Sequence, residues 1–314
     1  MSNLLKKIFS VENRASSYGY KAKIINILGL SFEIPLYIKL KPLNQFYVEL
    51  PPVCLSVAAI AKNEGPYIKE WIEYHKLVGV ERFYFYDNGS TDNTREVLEP
   101  YIQEGSVVYN YCEGKCLQNF VYADAIYKYK HQTQWLAVID LDEFIVPVEK
   151  NNIKDFLKDY ENYPAVGINW VMFDSNGHKS LKSRGGGLLS ADFTRVLLNY
   201  NVKENCHIKS VVNPRKVLGV CSPHHFIYKN HQFAVTEHYK KIFGLFTDYH
   251  SSDKIRINHY YCKSAEEYIK KTERGNADNE NKRTINEAYL NFTETTHDYV
   301  IQKFLPELEK RMNL

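Results

Sequence analysis

The sequence predicts an α/β fold with a mostly parallel central sheet and helices on both of its faces. Between residues 53 and 140, apolar stretches of strand length alternate with amphipathic stretches of helical length. A short polar motif follows three of the predicted strands directly, namely "AKNE", "DNGSTD" and "DLDEF". Such alternation favours parallel pairing, and sheets of this kind bind ligands at the carboxyl ends of their strands. We therefore expect the three motifs to meet at one edge of the sheet.

The chain is expected to divide into three segments. Residues 1–50 form an N-terminal extension, in which "SFEIPLYIKLKP" is typical of a strand or hairpin. The prolines of "ELPPV" end this extension, because consecutive prolines favour extended backbone. Residues 51–263 form the main α/β domain, and residues 264–314 form a helical C-terminal segment.

The first half of the main domain supplies most of the regular pattern. Apolar composition rich in β-branched and aromatic residues predicts buried strands in "VCLSVAAIA", "RFYFYD", "SVVYNY" and "WLAVID". The helices predicted between them are "KNEGPYIKEWIEYHKLVG", "REVLEPYI" and "LQNFVYADAIYKYKH". In the first helix, Ile68, Trp71, Ile72 and His75 fall on one face, as in a helix that packs on a sheet.

The second half is less regular. Strands are predicted in "AVGINWVMFDS" and, with a turn, in "VLGVCSPHHFIY", whereas "RGGGLLS" reads as a loop. From Ser264 onward the pattern becomes helical in "SAEEYIKKTERG", "INEAYLNF" and "HDYVIQKFLPELEKRM".

Amino-acid composition and net charge narrow the class of protein. The 314 residues are 44% hydrophobic and 25% charged, as in soluble globular proteins, and a net charge of +3 does not indicate nucleic-acid binding. The 25 tyrosines suit stacking on bases and sugar rings, or reflect only a bias in composition. The N-terminus has no long apolar stretch, so we expect a cytoplasmic protein, and the basic, apolar "LLKKIF" leaves open peripheral contact with the inner face of the plasma membrane.

Asp140, Asp142 and Glu143 crowd the end of the fourth predicted strand. Three interpretations remain open from these residues alone. Hard carboxylate oxygens could hold Mg²⁺ or Mn²⁺ on a nucleotide diphosphate. An Asp-x-Asp after an apolar strand is also the nucleophile motif of haloacid-dehalogenase-type phosphatases, although Phe144 stands where that family usually has Thr or Val. The third interpretation is a charge cluster that faces water.

Longer motifs carry a family resemblance. The stretch "SVAAIAKNEGPYIKEWIEYHKLVGVERFYFYDNGSTDNTREVLEPY", followed by "WLAVIDLDEFIVP", resembles the nucleotide-sugar half of GT-A glycosyltransferases. The resemblance is closest to glycosyltransferase family 92 and to family-2-like bacterial enzymes. "INHYYCKSAEEYIKKTERG" is similar to a later segment of family 92, and "NWVMFDSNGH" resembles its acceptor-side segment, although Asp174 stands where that family more often has Gly.

The resemblance implies a GT-A fold and a set of binding residues. Residues 51–263 would be the catalytic domain and would bind a UDP-sugar with Mn²⁺ or Mg²⁺. The residues implied to contact the nucleotide or its diphosphate are Ala59, Lys62, Glu64, Asp87, Asp140, Lys263 and Arg274, with Lys209 and Arg215 as weaker candidates. The implied metal ligands are Asp140, Asp142 and His259; a neutral imidazole is a sound ligand for manganese.

The resemblance also implies an inverting reaction, which needs a general base for the acceptor hydroxyl. Candidates are Asp174, Glu143 and Glu237, and further candidates are His178, Asp192 and His224. Trp170 and Phe173 could stack on an acceptor sugar or belong to the core. The function expected is a metal-dependent glycosyltransferase that acts on a glycan or lipid-linked glycan in surface polysaccharide synthesis. The alternative from another class is a non-catalytic protein of the same fold that binds glycans or nucleotides.

Overall fold

The computed structural model describes residues 50–181, 187–275 and 283–314. The predicted N-terminal hairpin lies outside these residues, as does most of the predicted "RGGG" loop. The strands are β1 (Val53–Ala61), β2 (Arg82–Asp87), β3 (Val107–Tyr111), β4 (Thr133–Val138), β5 (Glu143–Pro147), β6 (Ala165–Met172), β7 (Arg195–Leu197), β8 (Ile208–Val212), β9 (Val217–Val220), β10 (Phe226–Tyr228), β11 (Ile255–His259) and β12 (Thr295–His297). The α-helices are α1 (Gly65–Leu77), α2 (Thr94–Gln103), α3 (Gln118–Tyr129), α4 (Ile153–Leu157), α5 (Leu189–Asp192), α6 (Ala265–Arg274), α7 (Glu287–Leu290) and α8 (Leu305–Met312).

Eight of these strands form one sheet in the order β3-β2-β1-β4-β8-β6-β11-β5. Strands β3, β2, β1 and β4 are parallel to one another, and β6 is parallel to β11. Strand β8 runs antiparallel between β4 and β6, and β5 runs antiparallel to β11. The predicted α/β fold with a mostly parallel sheet is confirmed.

The strand directions bring the polar motifs to one side of the sheet. Strands β1, β2, β4, β6 and β11 all end at the same edge, which we call the carboxyl edge. The register pairs Ala61 with Asp87, and His259 with both Met172 and Glu143. The turn at residues 139–142 connects β4 to β5 at this edge, so the Asp-x-Asp motif lies between the nucleotide-side strands and β11.

Hydrophobic clusters cover both faces of the sheet. The predicted stripe of α1 is confirmed, because Ile68, Trp71, Ile72 and His75 are fully buried against one face together with α2 and α8. Helix α3 packs on the other face with β9 and β10. The short β7–β12 ribbon was not predicted, and the predicted "INEAYLNF" helix is confined to the four residues of α7.

The length and hydrophobicity of the helices show whether any of them could span a membrane. Within the described ranges, no helix is both long enough and apolar enough to cross a bilayer.

Candidate active site

The loops that follow β1 and β2 are tied together at the carboxyl edge. The Asn63 side-chain oxygen accepts a hydrogen bond from the Thr91 amide at 2.7 Å, and the Gly65 amide donates to Asp92 at 3.0 Å. A Cβ at Gly65 would lie 2.1 Å from Asn93 Oδ1, so glycine permits this close approach. The two loops therefore form one preorganised surface beside the Asp-x-Asp turn.

Asp87 is the last residue of β2 and is almost fully buried. Its Oδ1 accepts from the Ser90 amide at 2.8 Å, and its Oδ2 accepts from the Tyr109 hydroxyl at 2.8 Å. Each carboxylate oxygen has two lone pairs, so each keeps one for a ligand donor. The position fits the predicted contact with a base or ribose.

Ala59 does not fit its predicted role. It lies inside β1 and is 1% exposed, because its methyl group belongs to the core beneath α1. The exposed surface begins instead in the loop after β1, at Lys62 and Asn63. Ala59 can support the nucleotide site only by packing.

Four other residues predicted to bind nucleotide do meet in space. Lys263 donates to Glu64 at 2.7 Å, and Arg274 donates to the Lys62 carbonyl at 2.6 Å and to Glu64 at 3.4 Å. Lys263 also lies 3.6 Å from the centre of the Tyr67 ring. Burial lowers the pKa of Lys263, although Glu64 acts in the opposite direction. These contacts join α6 to the loop after β1.

Asp140 is held in place by neighbouring donors. Its Oδ1 accepts from Gln118 at 2.6 Å and from the Tyr122 hydroxyl at 3.0 Å, while its Oδ2 accepts from Lys209 at 2.9 Å. Lys209 is 1% exposed; burial would lower its pKa, but the nearby Asp140 and Glu143 outweigh this effect and raise it. Lys209 is therefore a counter-charge of the carboxylate cluster rather than a free cation for the diphosphate.

Asp142 faces β11 and α6. Its Oδ1 lies 3.7 Å from His259 Nε2, and its Oδ2 accepts from Lys271 at 2.5 Å. Burial would raise the pKa of Asp142, but Lys271 and His259 outweigh burial and hold it well below its usual range. Sequence reasoning missed Lys271, because it lies 129 residues from Asp142 along the chain and no local pattern links the two.

His259 has the properties of a ligand. Burial lowers its pKa, so the imidazole is neutral near pH 7 even though Asp142 acts in the opposite direction. Its Nδ1 is buried and has no hydrogen-bond partner among the described residues. Trp170 packs on the ring at 4.3 Å between centroids, and Tyr261 packs on it at 5.4 Å.

These residues fit a divalent cation. Asp142 and His259 present an anionic oxygen and a neutral nitrogen close together, which is a donor set that suits Mn²⁺. Asp140 is fixed mainly by protein donors, and one lone pair of its Oδ2 remains for a cation or a bound water. The structure therefore pairs Asp142 with His259, and Asp140 lies two residues earlier in the same turn. A cation held by all three stays a prediction, because among the described residues they are not a group whose ligand atoms all lie within 4.8 Å of one another.

The three residues predicted to act as the general base are engaged elsewhere. Glu143 is fully buried and accepts from the Asp140 amide at 2.8 Å; burial raises its pKa to about 8, although Lys209 opposes this. Asp174 accepts from Arg195 at 2.7 Å and from the Asn176 and Phe292 amides. The donors around Asp174 argue against it as the base. Glu143 Oε1 has no hydrogen-bond partner among the described residues, so a role for Glu143 stays a prediction.

Glu237 lies at the wrong edge of the sheet. Its carboxylate accepts from the amides of residues 253, 254 and 255 and from the Ser251 hydroxyl. Ile255 begins β11, so Glu237 is separated from His259 by the length of that strand, roughly 13 Å. Arg215 follows the antiparallel β8 and also lies away from the carboxyl edge.

The remaining candidates have structural contacts. His224 Nδ1 bonds to the Ile208 carbonyl at 2.8 Å, and the His224 ring lies edge-on to Trp170 at 5.3 Å. The His178 ring packs on Phe193 at 5.1 Å, and the Asp192 carbonyl accepts from Asn176. Phe173 is part of the core, whereas Trp170 is partly exposed beside His259.

Comparison with known proteins identifies the family. The sequence model described as glycosyltransferase family 92 matches residues 52–299. The chain belongs to glycosyltransferase family 92. This confirms the predicted family, and the sheet described above is that expected of its GT-A fold.

Individual relatives of this family 92 chain align over only part of their length. A glycosyltransferase family 92 protein of Arabidopsis thaliana is 27% identical over 59% of the chain and 35% of its own length. A galactan β-1,4-galactosyltransferase of the same plant is 32% identical over 34% of the chain and 23% of its own length. The chain thus spans about a third or less of these relatives. Among solved structures, Staphylococcus aureus TarS (residues 1–349) in complex with UDP is similar at 17% identity and a TM-score of 0.35, over 52% of this chain and 47% of that one.

Proposed function

We propose that this chain is a metal-dependent glycosyltransferase that transfers a sugar from a UDP-sugar to a hydroxyl of a glycan or lipid-linked glycan. The observation that carries the proposal is the pairing of Asp142 with His259, 3.7 Å apart at the carboxyl edge of a family 92 chain. Asp87 ends β2 at the same edge, and Lys271 of α6 contacts Asp142 directly.

The protein's own residues provide for each part of the donor. Asp87 keeps lone pairs for donors on the base or ribose. Lys263, Arg274 and Lys271 place three positive charges around the site, where they would stabilise the charge that develops on the departing diphosphate. Glu64 orients two of these cations, since it contacts both Lys263 and Arg274.

Asp142 and His259 would hold the cation, with Asp140 beside them. When bound, Mn²⁺ or Mg²⁺ supplies Lewis-acid neutralisation of the diphosphate leaving group. Lys271 now occupies an oxygen of Asp142, so this lysine supplies the positive charge for Asp142 in the structure described here. Inversion at the anomeric carbon and a role in surface polysaccharide synthesis complete the proposal, and both rest on the family.

Substitution of Asp142 tests the proposal. Purified protein is incubated with UDP-galactose, UDP-glucose or UDP-N-acetylglucosamine, with Mn²⁺ or with chelator, and released UDP is measured. We expect release with at least one donor only in the presence of metal. Asp142→Asn removes the anionic ligand and should lower this rate by on the order of 100-fold or more.

The control is Glu309→Gln, which removes an exposed carboxylate on α8 and should leave the rate unchanged. Equal activity of Asp142→Asn and the control would contradict the proposal. Binding of glycans without any nucleotide release would support the alternative, a non-catalytic binding protein.

A further inference from the structure

A cavity of about 280 Å³ opens beyond the carboxyl end of β6. Its wall combines apolar groups, among them Met172, Tyr289 and Phe292, with the polar side chains of Glu204, Asn286 and Asn291. None of these residues belongs to the predicted donor or metal site. The cavity is therefore a separate feature that the proposed donor site does not explain.

The cavity lies next to the proposed metal site. Met172, in its wall, is paired in the sheet register with His259. The Tyr289 ring is 5.7 Å from the Tyr261 ring, and the Tyr261 ring is 5.4 Å from the His259 ring. Two ring contacts through Tyr261 thus link the cavity wall to His259, so the cavity lies near the proposed metal site.

The composition of the wall suits a sugar. A pyranose has apolar C–H faces that pack on aromatic rings and hydroxyls that hydrogen-bond to carboxylates and amides. Tyr289 and Phe292 supply aromatic surface, while Glu204 supplies an acceptor that also receives the Tyr289 hydroxyl at 3.5 Å. Pockets that bind small molecules commonly show this combination of apolar lining and a few polar groups.

The wall is held in place by hydrogen bonds to Asp174, Ser175 and Arg195. The Phe292 amide donates to Asp174 at 3.0 Å, and the Leu290 carbonyl accepts from the Ser175 amide and hydroxyl at 3.1 and 2.8 Å. Arg195 bridges Asp174 and Asn291. Asp174 is thus a positioning residue for residues 290–292, which explains why a buried carboxylate follows β6.

We propose that this cavity binds a hexose ring of the acceptor, with Tyr289 packing on the sugar face and Glu204 accepting a hydrogen bond from a hydroxyl. The inference rests on the proposed function and deepens it by naming where the acceptor lies.

Binding of simple glycosides tests the proposal on the full protein. The probes are methyl β-D-galactopyranoside and methyl β-D-glucopyranoside, followed by saturation-transfer NMR. We expect at least one to bind, and we expect Glu204→Gln and Tyr289→Ala each to raise its Kd by about tenfold, the loss of one hydrogen bond or one ring contact. The matched controls are Glu309→Gln and Tyr127→Ala, exposed residues outside the cavity that should leave the Kd unchanged.

Three outcomes would overturn the inference: neither glycoside binds, the cavity variants bind as the controls do, or UDP with Mn²⁺ displaces the glycoside. Glu204→Gln keeps the size of the side chain, so it remains informative if Tyr289→Ala fails to fold. Calorimetry of Mn²⁺ and UDP on the same samples separates this result from the proposed function. If UDP binds and the glycosides do not, only the cavity assignment fails; if UDP does not bind, the donor site itself fails.

Discussion

His75 shows how a polar residue is accommodated in the core beneath the sheet. It is fully buried, its Nδ1–H donates to the Trp71 carbonyl at 2.7 Å, and its Nε2 accepts from the Ile145 amide at 3.2 Å. This pattern of bonds requires the neutral ring with the proton on Nδ1. Burial accordingly lowers the pKa of His75 to about 3.

The stability of the protein should therefore fall in mild acid. The pKa of His75 is lower in the folded than in the unfolded chain, so its stabilising contribution is complete above about pH 6.5 and is lost as the pH falls toward 3. At pH 5 the loss from this residue should be about 2 kcal/mol. Urea denaturation of the wild type and of His75→Gln, at pH 7.5 and at pH 5, measures this change in the free energy of unfolding.

His75→Gln is expected to be less stable than the wild type at pH 7.5. Its stability should change less with pH, because Gln does not titrate. The other buried histidines titrate alike in both proteins and cancel in the comparison. If the free energy of unfolding fell equally between pH 7.5 and pH 5 in both proteins, His75 would not be the neutral, buried group described.

The residues of the candidate site were partly visible in the sequence. Asp87, Asp140 and Asp142 could be predicted because each follows an apolar strand directly, and a parallel sheet brings strand ends together. Their counter-charges could not, since Lys209 and Lys271 reach the motif from positions 69 and 129 residues farther along the chain. The sequence also could not reveal that Asp174 and Glu237 accept hydrogen bonds from the protein, because their donors include backbone amides of distant loops.

At the scale of elements, the end of α1 depends on one glycine. Gly79 has φ +108°, and a Cβ there would lie 2.4 Å from Asn152 Oδ1. That same oxygen accepts from the Lys154 amide at 2.8 Å and caps α4. The turn after α1 and the start of α4 are therefore packed on each other.

We expect Gly79→Ala to lower the free energy of unfolding by about 2 to 3 kcal/mol, from backbone strain and a disturbed helix cap. Gly105→Ala is the matched control, since Gly105 has φ +81° but a Cβ added there would meet no atom within 4 Å. The control should lose only the backbone part, about 1 to 2 kcal/mol. If thermal or urea denaturation showed the same loss of unfolding free energy for both variants, contact with Asn152 would not contribute to the effect of Gly79→Ala.

The long elements were predictable, and of the short ones β9 and β10 were predicted as strand with a turn, whereas β7 and β12 were not. Strands β1 to β4 and helices α1 to α3 carry enough residues for their apolar period to stand out, and the structure has them. Strands β7 and β12 contain three residues each, too few to show alternation, and pair across 100 residues of sequence. The antiparallel placement of β8 within the sheet also depends on contacts distant in sequence, which local patterns do not reveal.

At the scale of the whole molecule, the helical C-terminal segment packs on the α/β domain. Leu308 of α8 is fully buried, Phe304 lies edge-on to Tyr74 of α1 at 5.8 Å, and Lys69 donates to the Met312 carbonyl at 3.2 Å. A buried pair between Arg256 of β11 and Asp298 adds a second connection. The segment thus shares the core beneath α1.

Shortening a side chain of α8 should therefore destabilise the entire domain. We expect Leu308→Ala to lower the free energy of unfolding by about 2 to 5 kcal/mol, as for other buried leucines. Leu314→Ala is the control, because Leu314 is 72% exposed and its change should cost less than about 0.5 kcal/mol. Urea denaturation followed by circular dichroism and by tryptophan fluorescence measures both variants.

Coincident transitions by the two probes would agree with one cooperative unit. An early loss of helical signal in Leu308→Ala, with tryptophan fluorescence unchanged, would instead mean that α8 unfolds independently of the sheet.

The placement of Trp170 gives the molecule an optical reporter of its own. The chain has three tryptophans, and Trp170 lies against His259 while Trp71 and Trp135 are buried in the core. A paramagnetic ion held by His259 would quench the emission of Trp170, and a diamagnetic ion in the same position would quench it far less. Metal binding could then be followed by tryptophan fluorescence in the unlabelled protein, with Trp170→Phe as the blank.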